Sequence, residues 1–490
     1  MSNMIDLTRN EAALEKTIGL ARERNIVIPT LAQMADPTLI PDAVRSKLKG
    51  VGLWDVDPAN LFRITWHNEP KASGGGFGGV NMIELPSELT GTKARIFALV
   101  GKWFPTGAHK VGAAFGCLAP RLVTGQFDPT SQKAVWPSTG NYCRGGAYDS
   151  ALLGCESVAI LPEGMSRERF DWLETVAGEV ITTPGTESNV KEIFDKCWEL
   201  RRSGEDLVIF NQFDELGNYL WHHEVTGRAM AEVLEKNMGA GETFRGVALT
   251  TGSAGTIASG DYLKKLFPHA KIAASEAIQC PTMLSNGFGE HRIEGIGDKH
   301  IPWVHNVKNT DMLIGIDDEA SISAMRLFNE PAGQRYLAGL GLSDDFIGHL
   351  EYFGISGAAN MISAIKMAKW YEMGEGDVLV TVLTDSIEMY RSRLAELNTE
   401  RGEFSDADAA AAHQRWILGA STDHVEELTY PARKRVHNLK YYTWVEQQEK
   451  SYEEIQRQWY DDSYWTSIPD VAEELDALIT EFNGRTGLLE

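Results

Sequence analysis

Cysteine is scarce in this chain and unpatterned: Cys117, Cys143, Cys155, Cys197 and Cys280 are odd in number and include no CxxC pair. That offers no zinc framework and fits a reduced compartment. The adjacent His222 and His223 do not supply a metal site either, because neighbours on a helix point in different directions; no metal is expected. Basic residues are also in deficit, with 46 Lys and Arg against 69 Asp and Glu for a formal charge of −23. Such a surface repels nucleic-acid backbones and anionic membranes, so no nucleic-acid partner is expected. No apolar run reaches the roughly 20 residues that cross a bilayer, and the opening MSNMIDLTRNEAALEK lacks the basic-then-apolar plan of a signal peptide. The expectation is a cytoplasmic protein without a membrane.

What is present is an ordinary globular balance, 43% hydrophobic and 23% charged over 490 residues. Disorder, collagen and coiled coil are excluded for the chain as a whole, and two or three lobes are expected. The first part reads as helical with interruptions: Glu11 to Arg24 is amphipathic, and Pro29, Pro37 and Pro41 punctuate the stretch after it. The glycine-rich Ser73 to Gly79 lacks the flanking strand and helix of a phosphate loop and reads as a flexible connection. From Ala94 to Leu394, short β-branched runs alternate with helical patterns. The strands read as Arg95 to Val100, Lys133 to Trp136, Ser157 to Leu161, Val180 to Thr183, Val208 to Phe210, Gly246 to Thr250, Lys271 to Ser275 and Val378 to Leu383. This alternation predicts an α/β fold of mainly parallel strands covered by helices, with ligands at the carboxyl ends of the strands. The last hundred residues are acidic, then aromatic and helical, containing Tyr441, Tyr442, Trp444, Trp459, Tyr464 and Trp465. Aromatics there serve either a partner interface or an arm packed on its own domain, and the second reading is preferred.

Four loops carry the chemistry. Pro105 to Gly112 places Lys110 after a tight glycine turn, at the head of a small-residue helix. A lysine packed there and partly desolvated has a lowered pKa and forms Schiff bases, although alone such a lysine is more often an ordinary surface residue. Pro137-Ser138-Thr139-Gly140-Asn141-Tyr142 lies between a strand and a helix. Its hydroxyls, amide and helix N-terminus suit a carboxylate, or else form a plain N-cap. Thr251-Gly252-Ser253-Ala254-Gly255-Thr256 again follows a strand, and its small residues let backbone N–H groups surround a phosphate without any basic side chain. Gly354-Ile355-Ser356-Gly357 puts a serine at the start of another helix. A Schiff-base lysine, a carboxylate receptor and a phosphate cup are the parts an enzyme using pyridoxal 5′-phosphate (PLP) needs to act on an amino acid.

With these loops in order, and with Ile160 to Ser166, Phe210 to Phe213, Glu294 to Gly297 and Thr384 to Tyr390 beside them, the chain resembles fold-type II PLP enzymes. It is most similar to the cysteine synthase (O-acetylserine sulfhydrylase) and cystathionine β-synthase group, over about Asn81 to Leu394. The resemblance implies that Lys110 holds PLP as the internal aldimine and then moves the Cα proton. It implies that Asn141 meets the ring hydroxyl, and that Gly252, Ser253, Ala254, Gly255 and Thr256 cradle the phosphate. Ser356 would face the pyridine nitrogen, while Ser138, Thr139, Gly140, Tyr142 and Gln212 would form the substrate pocket. A neutral hydroxyl at the ring nitrogen favours prompt loss of a β-leaving group. The implied activity is β-replacement or β-elimination on a β-substituted L-amino acid through an α-aminoacrylate. The alternatives are a serine/threonine-type dehydratase or a non-catalytic partner-binding scaffold. A homodimer is the expected assembly.

The chain departs from the group in places. Gly107-Ala108-His109-Lys110 is closer to the tryptophan synthase β subunit than to the Ser-x-Lys-Asp-Arg of cysteine synthases. Yet the glutamate expected to activate indole has no counterpart in Pro137 to Asn141. Tyr142 stands where a small hydroxyl residue is usual and would crowd or cap the pocket. Extra length between Gly297 and Ser356 would add a helix at the rim of the site. The expected map is a helical extension at 1–80, a large phosphate-binding lobe from 81–103 and 216–395, a small mobile lobe at 104–215 and a helical extension at 396–490.

Overall fold

The computed structural model describes residues 4–69 and 75–489. Two sheets organise it. A four-stranded sheet has the order β5-β4-β3-β6 and is parallel throughout, from β3 (Lys133–Pro137), β4 (Ser157–Pro162), β5 (Glu179–Thr183) and β6 (Leu207–Ile209). A seven-stranded sheet has the order β1-β2-β10-β7-β8-β9-β11. Its inner strands β2 (Arg95–Val100), β10 (Asp377–Leu383), β7 (Thr243–Thr250), β8 (Lys271–Ala277) and β9 (Met312–Ile316) are parallel. Antiparallel edges are added by β1 (Met82–Leu85) and β11 (Val425–Glu427). The inner strands are apolar and buried on both faces, the signature of parallel strands sandwiched by helices.

All eight strands read from the sequence are present, and three more join them. β9, Met-Leu-Ile-Gly-Ile, is an apolar run without the β-branched density that separates strand from buried helix. β11 is a charged three-residue edge within the otherwise helical C-terminal extension. Of the glycine-rich connection, Ser73 and Gly74 lie outside the described residues. From Gly75 onward it pairs back on the chain: Glu69 N–H donates to Gly76 O at 2.9 Å, and Gly78 N–H to His67 O at 2.8 Å.

Of the C-terminal aromatics, Trp444, Trp459, Tyr464 and Trp465 are buried against their own chain, whereas Tyr442 is exposed. Trp444 joins Phe213 and Trp303 in one cluster. Among the described residues no helix is long and apolar enough to cross a membrane.

Candidate active site

The Lys110–Thr124 helix is placed by close approach of backbones. A Cβ on Gly112 would fall inside the indole of Trp221, and one on Gly116 would lie 2.5 Å from Gly217 O. Gly145, on the Asn141–Leu153 helix, admits Val111 in the same way. The helix head therefore lies flush between two neighbours with Lys110 at its first position.

Lys110 Nζ donates to Ser253 Oγ at 2.7 Å and to Gln212 Oε1 at 3.1 Å. Gln212 Nε2 in turn donates to Ser138 Oγ at 3.1 Å, and that oxygen also accepts the Gly140 N–H. Burial lowers the Lys110 amine to about 8, with Asp298 acting in the opposite direction. His109 beside it is pushed down to about 3 by burial and by the lysine. Its Nδ1 lies 3.2 Å from Thr384 O, an acceptor only, so the neutral ring carries its proton there.

One narrow cavity is lined by Lys110, Ser138, Thr139, Asn141, Tyr142, Gln212, Gly252, Ser253 and Ser356. The sequence assigned all of these to the site. Gly140, Ala254, Gly255 and Thr256 sit beside the cavity rather than on its wall. The Tyr142 hydroxyl donates to Phe210 O at 3.1 Å, and its ring meets Trp136 edge-on. The residue is therefore tied back into the wall and is not a free cap. The inserted helices Asp318–Asn329, Pro331–Gly339 and Asp344–His349 do not rim the cavity as expected. They pack into the core cluster around the Ile355–Trp370 helix instead.

The residues fit PLP. The N–H groups of residues 252 to 256 have no acceptor among the described residues and precede the Ile257–Leu266 helix. Ala254, at φ 60°, turns them into a concave nest of the kind that binds phosphate. Asn141 Oδ1 is buried without a partner and faces the same cavity. At the other end Ser356 Oγ and Thr384 Oγ1 share a 2.6 Å hydrogen bond, presenting two neutral hydroxyls.

Sequence reasoning missed the groups that hold these residues. Asp385 Oδ2 accepts from Asn141 Nδ2 and from the Tyr390 hydroxyl, both at 2.6 Å. Arg169 donates to that hydroxyl at 3.0 Å and pairs with Glu294, which also accepts from Arg393 at 2.6 Å. This buried network ties the Arg167–Val176 helix, after β4, to the loop that follows β10. Asp385, Tyr390 and Glu294 stand inside the blocks that carry the family resemblance; Arg169 had no signal. Two further acids, Glu187 and Asp298, also line the cavity.

Comparison with known proteins points to the same cofactor. The family described as pyridoxal-phosphate dependent enzyme matches residues 75–342. A cysteine synthase of Staphylococcus aureus is 28% identical over 318 residues, 64% of this chain and 93% of that protein. A cystathionine beta-synthase of Saccharomyces cerevisiae is 25% identical over 353 residues, 70% of this chain and 66% of that protein. The crystal structure of a hydrogen sulfide-producing enzyme from Fusobacterium nucleatum has a similar fold, with a TM-score of 0.55 and 24% identity, covering 71% of this chain and 95% of that one.

Proposed function

Because the chain belongs to the pyridoxal-phosphate dependent enzymes, we propose that it performs β-replacement or β-elimination on a β-substituted L-amino acid, in the manner of the cysteine synthases it resembles. The observation that carries this reading is the placement of Lys110 Nζ. It lies between the amide nest, through Ser253 at 2.7 Å, and the carboxylate-binding loop, through Gln212 at 3.1 Å.

When bound, PLP supplies an aldehyde for an amine and a ring that draws electrons from Cα. The chain's own residues do the rest. The amides of Gly252 to Thr256 hold the phosphate. Ser138, Thr139, Gly140 and Gln212, with Tyr142 as wall, orient the substrate carboxylate. Asn141 would hold the cofactor beside its ring, and Lys110 would anchor it and move the substrate's Cα proton. Ser356, a neutral hydroxyl, does not enforce a positive ring nitrogen, which favours early departure of a β-substituent. In this reading residues 104–215 form a lobe that closes over substrate and excludes water, and the protein is a cytoplasmic homodimer. Sedimentation at the mass of a single chain would remove the homodimer.

The test is a panel of β-substituted L-amino acids, with and without thiols. Thioether products are expected with thiol and keto acid without it, and Lys110→Ala is expected to abolish both the visible absorbance of the bound cofactor and turnover. Purified protein that takes up no PLP would overturn the reading.

A further inference from the structure

Glu187 and Asp298 share the cavity with Lys110. Both are buried, at 1% and 7% exposure. Glu187 Oε1 accepts from the Thr139 hydroxyl of the carboxylate-binding loop, and its Oε2 has no partner among the described residues. Asp298 Oδ2 is likewise buried without a donor. A buried carboxylate with an oxygen left without a donor is disfavoured as an anion. Burial accordingly raises Glu187 to about 7 and lifts Asp298 far above the usual carboxylate range, with Glu187 adding to the rise. Two acids so placed do not both ionise near neutrality. Among the cavity-lining residues Lys110 is the sole side chain that carries a positive charge, and it is committed to the cofactor.

Resting on the β-chemistry above, we propose that Asp298 is a general acid for the departing β-substituent and that Glu187 keeps it protonated. The site is thereby selective for L-amino acids whose β-substituent leaves only when protonated, such as a hydroxyl leaving as water or an amine leaving as a neutral amine. The Cβ–X bond breaks with its electron pair on X, the Asp298 carboxyl proton passes to X, and HX departs leaving a carboxylate. An incoming H–Nu gives its electron pair to Cβ and its proton to Asp298, restoring the acid. The Cα proton stays with Lys110 in this exchange. Substituents that leave as stable anions, chloride among them, need no such proton.

The test compares L-serine with β-chloro-L-alanine on the holoenzyme. General acids contribute about 10²–10⁴-fold, so Asp298→Asn is expected to lower the serine-to-chloroalanine ratio of kcat/KM at least about a hundredfold. Glu187→Gln is expected to shift the alkaline limb of serine turnover to lower pH. The sign follows from the mechanism: the acid works while protonated, and removing a neighbouring negative charge lowers its pKa. The other titratable groups coupled to Asp298 are Lys110 and Cys280, both left unchanged. Infrared difference spectra of the cofactor-free protein give a readout independent of turnover, a protonated carboxyl band that Asp298→Asn removes. An unchanged substrate ratio, or the absence of that band, overturns the acid role. Failure of the parent protein to turn over either amino acid overturns the β-chemistry and the acid role together.

Discussion

At the scale of single residues the site depends on side chains that touch neither end of the reacting amino acid. Asn141 is oriented by Asp385, and Asp385 by Tyr390. The space beside that carboxylate exists because residue 354 is glycine, where any Cβ would collide with Asp385 Oδ1. Burial raises the Asp385 pKa, while Arg169, Tyr390 and Asn141 pull it back. Removing the acid leaves the Asn141 amide and the Tyr390 hydroxyl without their acceptor, and each buried polar group without a partner costs about 1–3 kcal/mol. Asp385→Ala is therefore expected to destabilise the fold by that order and to weaken PLP binding. Tyr390→Phe, which removes the hydroxyl's bonds to Asp385 and Arg169 but leaves the Asn141 amide its acceptor, is expected to do less of both. Urea unfolding and cofactor titration by visible absorbance measure the two effects, and equal losses in the two variants would contradict this hierarchy.

At the scale of elements, the loops that carry the chemistry were legible because each is a small-residue turn between an apolar run and a helix, which is a local pattern. The acids were not. Glu187 sits in Thr186-Glu187-Ser188 and Asp298 in Gly297-Asp298-Lys299, polar stretches with no local pattern that marks burial, and packing of distant segments buries them. β9 was missed for a related reason, since a short apolar run with a glycine does not declare its period. The Lys110–Thr124 helix shows the same division: its small residues were visible, but their purpose is set by Trp221 and Gly217 across the interface. Gly112→Ala is expected to force the helix head away from Trp221, costing about 1–3 kcal/mol as overpacking does. It should also displace Lys110, the next residue but one, so that bound-cofactor absorbance falls. Gly204→Ala, at a left-handed exposed turn with nothing within 4 Å, gives the contrasting case: a loss of stability with the cofactor retained.

At the scale of the whole molecule, the two extensions fasten to each other and lean on the site. Asn483 accepts the Ile28 N–H at 3.0 Å and donates to Ile28 O at 2.7 Å, while Asp476 accepts the N–H groups of Leu31 and Ala32 at 2.6 and 3.0 Å. Three residues beyond Leu31, the Met34 sulfur accepts the indole N–H of Trp221, the ring that abuts Gly112. From the other side buried Lys440 donates to the carbonyls of Trp303 and His305, both at 2.8 Å, pinning the turn that follows Asp298. The terminal segments thus reach Trp221, which abuts the Lys110 helix, and the turn that follows Asp298. Asn483→Ala strands both backbone groups of Ile28 in a buried place, and a loss of roughly 1–3 kcal/mol is expected, together with faster release of bound PLP as Met34 and Trp221 loosen. Arg485→Ala removes exposed ion pairs of the same helix, which contribute about 0–1 kcal/mol, and should leave cofactor release as it is. The comparison separates bracing from general stability: release rates that track unfolding free energy alone across the two variants would show that the extensions support the fold without reaching the site.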